Sequence, residues 1–138
     1  MKDLIKEYEE RKAAVVECLE YYAIPIFIAG AIGPINETKA ITTLSATTPR
    51  EELIIRNNTY PRWLAKVFSN SLEKDNLLYI TNFQDLSDEE QRLFVDIIRE
   101  NRVSSEELPK NLKIVINSEY RCSIIPEIRD SIQYFEFL

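Results

Sequence analysis

Apolar residues fall along the chain in two kinds of run. From Leu4, Ile5 and Tyr8 through Val15, Cys18, Leu19 and Tyr22 they recur at helical spacing, with Glu and Lys between them. That period predicts an amphipathic helix over residues 1–22. Ile24-Pro-Ile-Phe-Ile-Ala29 is instead continuously apolar up to Gly30. A strand buried on both faces of a parallel sheet reads this way. Pro25 is tolerable near a strand start.

The next stretch is less patterned. AGAIGPINETK, residues 29–39, reads as a loop, and Glu37 to Ala46 is compatible with a short helix. Thr48-Pro49-Arg50-Glu51 carries helix-start chemistry: a Thr N-cap, Pro at the first position and Glu at the third. Leu53-Ile54-Ile55 reads as the end of that helix or as a second strand, and Asn57-Asn58 breaks the pattern. Pro61 to Leu72 predicts a helix that buries Trp63, Leu64, Val67 and Phe68.

The second half is cleaner. Leu77 to Ile80 is an expected strand, followed by the loop Thr81-Asn-Phe-Gln-Asp85. Ser87-Asp-Glu-Glu90 has the capping-box spacing and opens a helix burying Leu93, Phe94, Ile97 and Ile98. Ser104 to Lys110 reads as a polar loop, Leu112 to Ile116 as a strand, Ile125 to Ile132 as a short helix and Gln133 to Leu138 as a last strand. Strands alternating with helices predict an α/β three-layer domain with a mostly parallel sheet. A length of 138 residues favours one domain, residues 1–138.

Composition narrows the chemistry. The net charge of −6 argues against a broad nucleic-acid footprint, which needs clustered Lys and Arg. There is no histidine, so the commonest general base and metal ligand is missing, and no Ser-His or Cys-His arrangement can form. Cys18 and Cys122 stand apart and read as two free thiols. The opening MKDLIKEYEERK is too charged for a signal peptide, and the apolar run 23–32 is too short to span a bilayer. The expectation is a cytoplasmic protein without a membrane segment.

From Pro61-Arg-Trp63 onward, over residues 61–138, the order of features resembles a known family. LLYITNF is followed by the helix DEEQRLFVDIIREN, the loop ending ELPKN, the strand LKIVINS and then IIPEIRDSIQYFEF. This resembles the second half of a AAA+ nucleoside-triphosphatase core, most of all the MoxR group. With IPIFIAG as the phosphate-loop strand, the resemblance extends back to residue 24. It implies a P-loop NTPase, AAA+ core-like sheet of strand order 5-1-4-3-2. The helical lid that usually follows such a core has no counterpart in the residues up to Leu138.

The resemblance also marks where the family's chemistry would sit. A P-loop needs G-x-x-x-x-G-K-[ST], so that backbone N–H groups, the Lys and a hydroxyl hold the phosphates and Mg²⁺. Counting from Gly30 puts Ile35, Asn36 and Glu37 at the second Gly, the Lys and the hydroxyl positions, and Pro34 lacks an N–H. Counting from Gly33 puts Lys39 at the Lys position, but Thr38 replaces Gly and Ala40 replaces the hydroxyl. The acidic pair that would hold Mg²⁺ reads Thr81-Asn82. Asp85 follows as a turn residue. The polar sensor position reads Asn117, and Ser131 stands where an arginine finger is expected, two residues after Arg129.

These positions predict a pseudo-ATPase, without catalytic residues and with no cofactor expected. Its role would be that of a protein-interaction or regulatory module. The partner implied is a true AAA+ ATPase or another copy of the chain, with no nucleic acid and no membrane. Two alternatives stay open. One is a divergent ATP-binding enzyme that uses Lys39 with ATP and Mg²⁺. The other is an unrelated α/β interaction domain, marked by a strand order other than 5-1-4-3-2.

Overall fold

The computed structural model describes residues 4–21, 24–30, 41–73 and 76–137. Helix α1 spans Leu4–Tyr21, and strand β1 spans Ile26–Gly30. Strand β2 (Ile41–Ser45) leads through a short 3-10 turn, Arg50–Glu52, to α2 (Arg62–Ser69). Strand β3 (Asn76–Thr81) leads to α3 (Asp88–Gln91) and α4 (Val95–Arg99), joined by a 3-10 turn at Arg92–Phe94. A two-stranded ribbon, β4 (Arg102–Val103) and β5 (Glu106–Glu107), precedes the long strand β6 (Leu112–Ser118). Helix α5 (Pro126–Arg129) and strand β7 (Gln133–Phe137) complete the described chain.

Five strands form one sheet in the order β2-β3-β6-β1-β7, and every neighbouring pair is parallel. The interior strand β1 is buried at all five positions, which accounts for its unbroken apolar sequence. Ile26 and Ile28 face one side, where Val15 of α1 packs with them. Phe27 and Ala29 face the other, in a cluster that holds Leu64 of α2, Phe94, Ile97 of α4 and Ile128 of α5. The domain therefore has three layers: α1, the sheet, and the remaining helices. Phe27 meets Phe83 edge-on at 5.4 Å, and Phe83 meets Phe94 at 6.4 Å. All three are fully buried, each contributing about 1.5–3 kcal/mol by leaving water.

Helix starts follow local chemistry where that chemistry is complete. Ser87 accepts from the Glu90 N–H, and the Glu90 carboxylate accepts from the Ser87 N–H, which is the full capping box. Those bonds hold the Glu90 carboxyl below its ordinary range. At Thr48-Pro49 the outcome differs. Only the 3-10 turn 50–52 forms, with no side-chain cap. Trp63 Nε1 donates to the Glu52 carbonyl and pins this turn to α2.

Other expectations are corrected. Residues 41–45, read as part of a short helix, form strand β2, with Thr42 and Leu44 buried and Thr43 exposed. Leu53 to Ile55 is neither helix nor strand. The polar loop at 104–110 contains half of the β4–β5 ribbon. Leu93 is 39% exposed rather than core. Asn57 and Asn58 do more than break a pattern. Both take positive φ, 51° and 60°, between the bridged residues Arg56 and Thr59. Two left-handed residues make a type I′-like hairpin turn, where Asn is favoured. Among the described residues no helix is long and apolar enough to cross a membrane.

Candidate functional site at the carboxyl ends of the strands

The direction of the chain selects a position on this sheet. From β1 the chain proceeds to β2 on one side, whereas from β6 it proceeds to β7 on the other. The gap between β1 and β6 is thus the topological switch point, where open α/β sheets place their ligands, beyond the carboxyl ends of the strands.

Gly30 ends β1 with φ 113°, a conformation that only glycine enters without steric cost. Asn117 sits on the adjoining strand β6, in register with Ile28. Its side-chain Nδ2 donates to the Ile28 carbonyl at 3.0 Å and to the Gly30 carbonyl at 3.1 Å. The Asn117 amide is thus bound to the backbone of β1. Both donor contacts reach across the switch point and tie its two strands together.

Thr81 ends β3, in register with Ser45 of β2, and its carbonyl accepts from the Ala46 N–H at 2.7 Å. Asn82 follows in the left-handed conformation, φ 60° and ψ 32°, which Asn tolerates better than most residues. Its Nδ2 donates to Ser45 Oγ at 3.3 Å, and Ser45 Oγ shares a 2.8 Å hydrogen bond with Thr47 Oγ1. Asp85 N–H donates back to the Asn82 carbonyl, closing a 3-10 turn, so Asp85 is an exposed turn residue as expected. Asn82 forms a neutral amide and hydroxyl cluster with Ser45 and Thr47, and Thr81 joins this end through its backbone carbonyl. Asn117 lies in a separate cluster on β1 and β6. Gly33 and Lys39 lie outside the described residues.

The sequence offered no signal for two further elements. The first is Gln91, 1% exposed at the end of α3. Its Nε2 donates to the Ser123 carbonyl at 2.7 Å, and its Oε1 accepts from the Ile125 N–H at 2.9 Å. Both ends of the amide are used to hold the segment between β6 and α5. The second is Glu136 on β7. Arg121 donates to its two carboxylate oxygens from Nε at 2.7 Å and Nη2 at 2.8 Å. Tyr134 Oη adds a third bond at 3.0 Å, and Arg11 of α1 reaches the Glu136 carbonyl at 3.0 Å. The paired guanidinium holds the Glu136 carboxyl below the ordinary carboxylate range. Only partner geometry reveals these roles, because single charged residues on a polar stretch look alike in a sequence.

Arg129 and Ser131 lie on and just after α5. Arg129 is exposed, and Ser131 Oγ donates to the Glu127 carbonyl at 3.0 Å, capping the turn. Cys18 and Cys122 are free thiols. Burial pushes the Cys122 thiol up, with a smaller opposite effect from Ser118. Among the described residues no three His, Cys, Asp or Glu side chains gather as a metal-holding group. No protein-family model matches the chain, and no curated protein matches it.

Proposed function

We propose that this chain is a AAA+-like pseudo-ATPase that works as a protein-interaction or regulatory module. The observation that carries the reading is the sheet. Numbered in chain order, the five long strands run 5-1-4-3-2 from one edge to the other. That is the order implied by the resemblance of the second half of the chain. A strand order is independent of the sequence pattern that suggested it.

The state of the polar groups supports the second half of the reading. The Asn117 amide is bound to β1 carbonyls at the switch point. The positions of the acidic pair carry Thr81 and Asn82, whose neutral groups bond within the β2–β3 end. Phosphoryl transfer depends on charge that positions and neutralises a metal-bound phosphate, and neither position supplies it. A fold that has lost its chemistry still offers surfaces, and the partner we favour is a AAA+ ATPase or a second copy of the chain.

The test is calorimetric titration with ATP and ADP, with and without Mg²⁺. The expected result is no binding up to about millimolar, equivalent to roughly −4 kcal/mol. Magnesium-dependent micromolar binding, weakened by Lys39→Ala, would overturn the proposal in favour of a divergent ATP-binding enzyme.

A further inference from the structure

The outer edge of β2 borders a groove of about 790 Å³, walled on the other side by the 50–62 segment and α2. Three features of it converge. The first is backbone. The Ala46 N–H donates to Thr81 of β3, so by the two-residue alternation of a strand Leu44 and Thr42 also turn their backbone groups toward β3. Thr43 and Ile41 turn theirs outward, and among the described residues no strand pairs with β2 on that side. An unpaired edge of this kind is a template for another strand.

The second feature is a buried hydroxyl. Thr42 is 2% exposed and lines the groove, yet its Oγ1 has no hydrogen-bond partner. Four buried side-chain atoms lack a partner among the described residues, those of Thr42, Asn76, Asn111 and Ser118, and of these residues only Thr42 lines this groove. Buried polar atoms are rarely left without a partner.

The third is charge. Arg62 and Lys66, four residues apart on α2, lie on one helix face above the groove, with Arg56 beside them. None of the three has an ion-pair partner among the described residues. The carboxylates that line the groove, Glu51 and Glu52, belong to the 3-10 turn, whereas the α2 residues that line it, Arg62, Trp63 and Lys66, include no acid.

We infer that the β2 edge is a docking site for an extended acidic peptide segment of a partner protein. The segment adds a sixth strand beside β2. Its backbone bonds to Thr43 and Ile41, and its carboxylates face Arg62 and Lys66. Backbone pairing supplies affinity in such additions, and alternate side chains supply selectivity. The inference rests on the protein-interaction part of the proposed function and gives that part a surface. It does not depend on the loss of nucleotide binding.

The probe is a fluorescein-labelled peptide of alternating Thr and Glu, about ten residues long, near the upper length of natural strands. Titration with the full chain is followed by fluorescence anisotropy. Saturable binding is expected, with slowed amide hydrogen exchange at Thr43. The same peptide N-methylated at alternate residues loses its donors and is expected to bind at least about tenfold more weakly. The double variant R62E/K66E leaves the strand intact and is expected to weaken the acidic peptide while strengthening an alternating Thr-Lys peptide. Thr43→Pro removes the outward N–H at an edge position, where proline is tolerated.

No binding at millimolar peptide, equal binding of the N-methylated peptide, or an unchanged preference in R62E/K66E would overturn the inference. Sedimentation showing a dimer that Thr43→Pro converts to monomer would also overturn it, by assigning the edge to a second copy. Nucleotide binding in the earlier calorimetry, alongside peptide binding here, would sink the pseudo-ATPase reading and leave this site standing.

Discussion

The switch point between β1 and β6 and the outer edge of β2 belong to the same sheet, yet they handle polar groups in opposite ways. At the switch point the polar side chain is consumed by the protein itself. Asn117 feeds two β1 carbonyls, and Arg121 closes both oxygens of Glu136 on the strand beyond. At the β2 edge, among the described residues, the Thr42 hydroxyl has no partner and three cations that line the groove have no ion-pair partner. A site whose bonds are already made stabilises the fold. A site whose bonds are missing has free energy left for a ligand. Among the described residues, Asn117 at the switch point is therefore internally satisfied, and the β2 edge is the open one.

The largest expected effect tests the satisfied side. Asn117→Leu leaves the Ile28 and Gly30 carbonyls without their side-chain donor, and should lower stability by about 2–3 kcal/mol in urea unfolding. A change below about 0.5 kcal/mol would show that the amide does not hold the two strands together. Gly30→Ala comes next, at about 1–2 kcal/mol, because φ 113° is costly for any residue with a Cβ. An unaltered denaturation midpoint would show that the end of β1 relaxes freely.

On the open side the sign reverses. Thr42→Val removes a buried hydroxyl without a partner, so stability should stay within about 0.5 kcal/mol or rise by up to about 1 kcal/mol. A loss of more than about 1 kcal/mol would mean the hydroxyl is already bonded.

The smallest effect is one of pH. Because Arg121 depresses the Glu136 carboxyl in the fold, that pair's contribution is present above the unfolded carboxyl pKa, about 4.3. It fades as pH falls through the lower folded value. Melting temperatures of the wild type and Arg121→Gln should therefore differ near neutrality and converge in acid. A constant gap across that range would assign the difference to packing rather than to the ion pair.

Much of this architecture was legible in the pattern of residues, and the places where reading failed share a cause. Strand β1 was plain because it is buried on both faces, so burial wrote an unbroken apolar run. The Ser87–Glu90 capping box was plain because both of its bonds are local. Strand β2 was missed because an edge strand is half exposed, and Ile-Thr-Thr-Leu-Ser carries only a weak alternation. The 3-10 turn at 50–52 was overextended into a helix because its start signal was read without its tertiary tie from Trp63. Of the candidate site residues, Gly30 was legible through its place at a strand end, and Asn117 through the strand it sits on. The bonds that Asn117 makes were not legible, because they join residues 89 and 87 positions apart.

By itself the sequence determined the helix and strand periods, the parallel α/β class and the absence of charge at Thr81-Asn82, since each depends on residue types and near neighbours. Only the tertiary structure decided the strand order, the use of Asn117 and Gln91 on distant backbone, and the meeting of Arg121 with Glu136. It alone also placed Thr42, Arg62 and Lys66 around one groove. The physical reason is range: period and capping act within a turn or a strand, whereas pairing and burial join groups that the chain brings together only by folding.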